Sequence, residues 1–100
     1  MIKRRYEHRT LAEVELLIAA INREFFDKKG VRIELENGEF MIIREFMDKG
    51  INYAITLSNS NTIWRKYKTL RDELEFILSN KNNKVFNENG KELQQNFFYH

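Results

Sequence analysis

The sequence predicts an α+β fold: a helix, a three-stranded antiparallel meander and a second helix. Both helices lie on one sheet face, and a small C-terminal extension follows. Three observations carry this expectation. Apolar residues recur at helical spacing from Leu11 to Phe25 and again from Leu70 to Leu78. Between them, Val31 to Leu57 divides into three alternating apolar runs separated by Asn37-Gly38 and Lys49-Gly50.

The first helix opens at Leu11, because Thr10 and Glu13 have the spacing of a capping box. Each side chain can satisfy a backbone N–H that the first turn leaves without a partner. Leu11, Val14, Leu17, Ile18, Ile21 and Phe25 form its apolar stripe, with Glu13, Glu15, Arg23 and Glu24 turned to water. Gly30 is expected to end it as the residue past the C-cap, after Lys28 and Lys29, whose charges suit the negative helix terminus.

Asn-Gly tolerates two consecutive positive φ angles, so the spacing reads as a two-residue hairpin turn. That register sets Leu35 opposite Phe40, Ile33 opposite Ile42 and Val31 opposite Arg44. A two-residue Lys49-Gly50 turn then sets Phe46 opposite Tyr53, Arg44 opposite Ile55 and Ile42 opposite Leu57. The helix-covered face would thus carry Ile42, Arg44 and Phe46. The reverse face would carry Arg32, Glu34, Glu36, Met41, Ile43, Glu45 and Met47. Arg44 interrupts the covered face in this register and must snorkel to the sheet edge or meet an acid. Residues 58–62 read as a loop, and Thr69 as the N-cap of a second helix over residues 70–79 with Leu70, Leu74, Ile77 and Leu78 inward. Beyond an asparagine-rich connector, Val85 to Leu93 reads as a small hairpin or turn, and Phe97-Phe98-Tyr99 closes the chain.

At 100 residues, 42% hydrophobic and 13% aromatic, the chain is expected to form one domain. It comprises a basic arm over residues 1–9, a core over 10–80 and an extension over 81–100. There is no cysteine, which excludes disulfides and thiolate metal sites and makes a cytoplasmic setting the simplest expectation. The basic start runs into an amphipathic segment rather than a continuous apolar region, so neither a signal peptide nor a membrane span is expected. Lysine and asparagine are abundant and proline is absent, a bias that AT-rich coding sequence produces in low-GC bacteria and their mobile elements.

No catalytic template fits. His8 and His100 lie near opposite ends without metal-ligand spacing, and no phosphate loop or nucleophile elbow occurs. Glu34 and Glu36 share a face but lack the lysine two residues on that a metal-dependent nuclease core shows. No catalytic, cofactor or metal residue is therefore expected. A small non-catalytic protein-binding module is the leading functional expectation, by analogy with inhibitors and adaptors of larger machines among mobile elements. Its contact residues would be Arg32, Glu34, Met41, Ile43, Glu45 and Met47, with methionines adapting to the opposing surface. The competing expectation for that face is self-coverage by Phe86, Leu93, Phe97 or Phe98.

A net charge of +2 is close to balance, but two patches are locally basic: Arg4 and Arg5 in the arm, and Arg65, Lys66 and Lys68 beside Trp64 and Tyr67. They make a nucleic-acid-binding domain the alternative, with phosphates held by the cations and a base stacked on an aromatic ring. A metal-free RNase-like toxin is the second alternative. The order helix, three strands, helix over roughly residues 10 to 80 resembles that of double-stranded RNA-binding domains. That family opens its second helix with a Lys-Lys-x-Ala-Lys run, whereas this chain has Thr69-Leu70-Arg71-Asp72-Glu73, so no family residue is carried over.

Overall fold

The computed structural model describes residues 8–47 and 50–93. Two helices and five strands follow in the order α1 (Leu11–Phe26), β1 (Val31–Glu34), β2 (Phe40–Phe46), β3 (Asn52–Leu57), β4 (Thr62–Lys66), α2 (Tyr67–Leu78) and β5 (Lys84–Asn87). The strands form one open antiparallel sheet in the order β4-β3-β2-β1-β5. The fold is α+β with an antiparallel sheet, as expected. However, it has five strands rather than three, and the element order departs from that of the double-stranded RNA-binding layout.

The start of α1 is as its sequence dictates. The Thr10 hydroxyl accepts from the Glu13 N–H at 3.1 Å, and the Glu13 carboxylate accepts from the Thr10 N–H at 2.9 Å. Its end differs. Lys28, not Gly30, takes the left-handed conformation (φ 64°), and the Lys29 N–H reaches the Glu24 carbonyl while the Lys28 N–H reaches that of Phe25. This pair of bonds is a Schellman motif and closes the helix four residues before Gly30. Glycine at position 30 answers a different need, since a Cβ there would lie 3.0 Å from the Arg44 Cγ and 3.1 Å from the Ile43 carbonyl oxygen.

Both hairpin registers differ from expectation by one residue. Val31 pairs with Ile43 and Ile33 with Met41, while Ile43 pairs with Ile55 and Glu45 with Tyr53. Because side chains alternate, this turns all of β2 over: Met41, Ile43 and Glu45 face the helices, and Phe40, Ile42, Arg44 and Phe46 face away. The first turn is the cause. Glu36-Asn37-Gly38 is a three-residue loop in which the Leu35 N–H bonds the Glu39 carbonyl at 2.8 Å, the Asn37 side chain accepts from the Glu39 N–H, and Gly38 (φ 93°) supplies the left-handed position. The same loop recurs twice, at Ser58-Asn59-Ser60 and at Glu88-Asn89-Gly90, with Ser60 at φ 75° and Gly90 at φ 85°. β2 ends at Phe46 and β3 begins at Asn52, and Asp48 and Lys49 between them lie outside the described residues.

Ser60 holds without benefit a conformation that glycine adopts freely. Ser60→Gly should raise stability by about 0.5 kcal/mol. Gly38→Ala should lower it by about 1 kcal/mol, all of it backbone strain because nothing lies within 4 Å of the added methyl. Urea midpoints at unchanged slope would check both.

Two strands extend the sheet beyond the expected meander, the second of them within the small hairpin expected over Val85 to Leu93. β4 uses residues read as loop and helix approach, so α2 begins at Tyr67 with Lys66 as its N-cap rather than at Leu70 after Thr69. β5 extends the sheet beside β1 instead of folding over a face, and Leu93 bonds back to Val85 along its outer edge.

The core lies between the helices and one sheet face. Val14, Leu17, Ile18, Ile21 and Phe25 of α1 and Leu70, Leu74 and Leu78 of α2 bury against Val31, Ile33, Ile43, Tyr53, Ile55 and Val85. Leu11 alone of the expected α1 stripe is exposed, at 74%. The connector after α2 is a specific lock. The Glu36 carboxylate accepts from the side-chain amides of Asn80 and Asn82, both at 3.0 Å, and Asn83 bridges the Glu36 N–H and the Ile77 carbonyl. Buried Arg9 completes it, its guanidinium donating to the carbonyls of Leu78, Asn80 and Asn83 at 2.9, 3.1 and 3.0 Å.

Tyr53 sits between Phe25 and Tyr67, with ring centroids 5.0 and 5.8 Å apart. Burial pushes its hydroxyl above the ordinary 10.0, and the charge of Glu45 adds to the rise. The unfolded chain loses this proton near pH 10 while the folded chain keeps it. Stability is therefore intact below that pH and falls as pH rises past it. Tyr53→Phe should flatten this alkaline decline in urea titrations run at stepped pH.

Candidate functional site

With both helices committed to one side, the other side of the sheet is built from alternate residues of five strands. Cross-strand pairing arranges it in rows. Lys66, Asn52 and Phe46 form the first, and Trp64, Ala54 and Arg44 the second. Thr62, Thr56, Ile42, Arg32, Phe86 and Glu92 form the third, and Phe40, Glu34 and Lys84 the fourth. A solvated antiparallel face would be uniformly polar. This one instead carries four aromatic rings among four cations.

Trp64 and Phe46 are 43% and 38% exposed and meet edge to face, with ring centroids 5.4 Å apart. Ala54 lies between Trp64 and Arg44 in its row and is only 4% exposed, so its larger neighbours close over it. Toward the other edge, the Arg32 guanidinium sits 4.1 Å from the centre of the Phe40 ring and bonds Glu34 at 3.0 Å. A shallow groove of about 740 Å³ runs between Ile42, Arg44, Arg32 and Phe86.

Charge is unevenly divided over this face. Glu34 bonds Arg32 and is the cross-strand partner of Lys84, and Glu92 lies at the rim opposite Phe86. In the half formed by β2, β3 and β4, Arg44 and Lys66 stand beside Phe40, Phe46 and Trp64 with no carboxylate on the same side of those strands. Arg44, which the expected register would have trapped under the helices, is instead exposed and close against Gly30.

The residues expected to bind a protein are separated by the turned-over strand. Arg32 and Glu34 lie on the open face, but Ile43 is fully buried, Met41 packs on the core and Glu45 faces the helices and pairs with Lys28 at 3.5 Å. Met47 is exposed in the turn beyond β2. The residues expected to bind nucleic acid divide as well. Lys66 is exposed on the open face, Lys68 is exposed in the first turn of α2, and Arg65 faces the helices, bonded to Glu73 at 3.1 Å. Arg4 and Arg5 lie outside the described residues, as do Phe97 and Phe98. Phe40, Ile42, Arg44, Phe46, Lys84 and Phe86 were missed. The one sequence signal that could have found them is the cost of burying Arg44 without a partner.

A second concavity, of about 470 Å³, lies between α2 and the covered face. Met41, Leu57, Ile63 and Ile77 line it, and Phe76 stands at its rim, 81% exposed. Among the described residues, no group of three or more His, Cys, Asp or Glu side chains could hold a metal ion. Nor, among the described residues, is any helix long and apolar enough to cross a membrane. No protein-family model matches this sequence, and neither a curated protein nor a solved structure matches it.

Proposed function

We propose that the protein is a non-catalytic binding module and that its contact surface is the helix-free side of the sheet. The observation that carries this reading is the placement of Phe40, Phe46, Trp64 and Phe86 among Arg32, Arg44, Lys66 and Lys84 on a side that neither helix covers. Phe46 and Trp64 are the exposed rings of the four, and rigid aromatic and arginine side chains are the usual anchors of recognition.

The test is affinity capture with tagged protein, comparing a variant altered on the open side, Arg44→Glu with Phe46→Ser, against one altered on the helix side, Phe76→Ser. Loss of capture in the first and retention in the second is the expected result. Both variants should keep the wild-type circular dichroism and melt within a few degrees of it, because all three side chains are exposed. Capture indifferent to Arg44 and Phe46, or lost only with Phe76, would remove this surface from consideration.

A further inference from the structure

We infer that the occupant of this surface is single-stranded nucleic acid, an inference that rests on the open side of the sheet being the contact surface. Two requirements meet there. A single strand offers unstacked bases, which need flat aromatic partners, and a phosphate chain, which needs cations without competing carboxylates. The β2–β3–β4 half supplies both: Trp64 and Phe46 as stacking platforms 5.4 Å apart, and Arg44 and Lys66 in the rows that hold them; those three strands place no acid on that side, and Glu88, which lines the groove with Arg44, accepts from the Gly30 N–H at 2.7 Å.

A protein partner fits these residues less well. Lysine is depleted at protein interfaces, yet Lys66 sits in the same row as the exposed Phe46 ring. Duplex DNA or RNA fits poorly too. Its bases are stacked on one another and so are withheld from aromatic side chains.

Trp64 is the only tryptophan in the chain, so its fluorescence reports directly on the proposed platform. The experiment titrates the full chain with 20-nucleotide oligo-dT and oligo-U, and with a duplex of equal length, at low ionic strength. Quenching of Trp64 by the single strands and a much weaker response to the duplex are expected. Two phosphate contacts imply about a sevenfold loss of affinity on raising salt from roughly 50 to roughly 200 mM. Arg44→Gln should weaken binding and lower the salt slope by about 0.7. Phe46→Ala should weaken binding about tenfold or more through lost stacking. Lys81→Glu, an exposed cation in the connector after α2, should change neither.

An unchanged Trp64 signal with both oligonucleotides, or tighter binding to duplex, would overturn the nucleic-acid assignment. If Arg44→Glu with Phe46→Ser nevertheless abolished capture of a protein, the contact surface would stand and only its occupant would be wrong. If oligonucleotides bound with affinity insensitive to Arg44 and Phe46, both the surface and the occupant would fall.

Discussion

Ile43→Ala should cost about 2–5 kcal/mol of folding stability, the range for truncating a fully buried aliphatic side chain that leaves a cavity behind. Ile43 is 0% exposed at the centre of β2, paired with Val31 on one side and Ile55 on the other, in a layer that both helices close. Ile42→Ala, one residue away, should cost about 1 kcal/mol or less, because Ile42 is only partly buried on the open side. Urea denaturation of the two variants measures the register directly. The two-residue turns expected from the sequence demand the opposite ranking, with Ile42 essential and Ile43 dispensable.

Arg9→Ala should destabilise the fold by about 3 kcal/mol, since bonds from a charged donor contribute about 1.5–3 kcal/mol each but are not additive. One guanidinium satisfies the Leu78, Asn80 and Asn83 carbonyls where α2 ends, and its burial holds its pKa below the ordinary arginine value despite the charges of Glu13 and Glu92. Arg9→Lys should recover only part of the loss. An ammonium has three donors at a single point and cannot span carbonyls that the planar fork reaches separately. Thermal melts of both variants beside wild type would check the order wild type, lysine, alanine.

Helix α1 was legible because its information is local. Thr10 and Glu13 cap each other three residues apart, and the stripe from Val14 to Phe25 can bury only as a helix. The inside positions of β1 and β3 were also legible: Val31, Ile33, Tyr53 and Ile55 face the helices as expected. Only β2 was inverted. Each turn was misjudged by one residue in the same sense, so the flanking strands stayed in phase with each other while the strand between them flipped. Hydrophobicity offered no arbitration, because Phe40, Met41, Ile42 and Ile43 make both sides of β2 apolar. The open face was lost with that strand. The small hairpin about Glu88-Asn89-Gly90 was legible, but the pairing of its first strand β5 with β1 was not, because β1 lies some fifty residues earlier and no turn in between announces it.

The return of Lys84–Asn87 to the flank of Val31–Glu34 closes a circuit of about fifty residues, a costlier closure than the short loops that join the other four strands. Without β5, Val31–Glu34 would be a raw border with unpaired amide and carbonyl groups, the template on which another copy could add a strand. Shortening the chain after Asn80 would make that border permanent. Such a fragment would be prone to clumping whatever occupies the far side of the sheet.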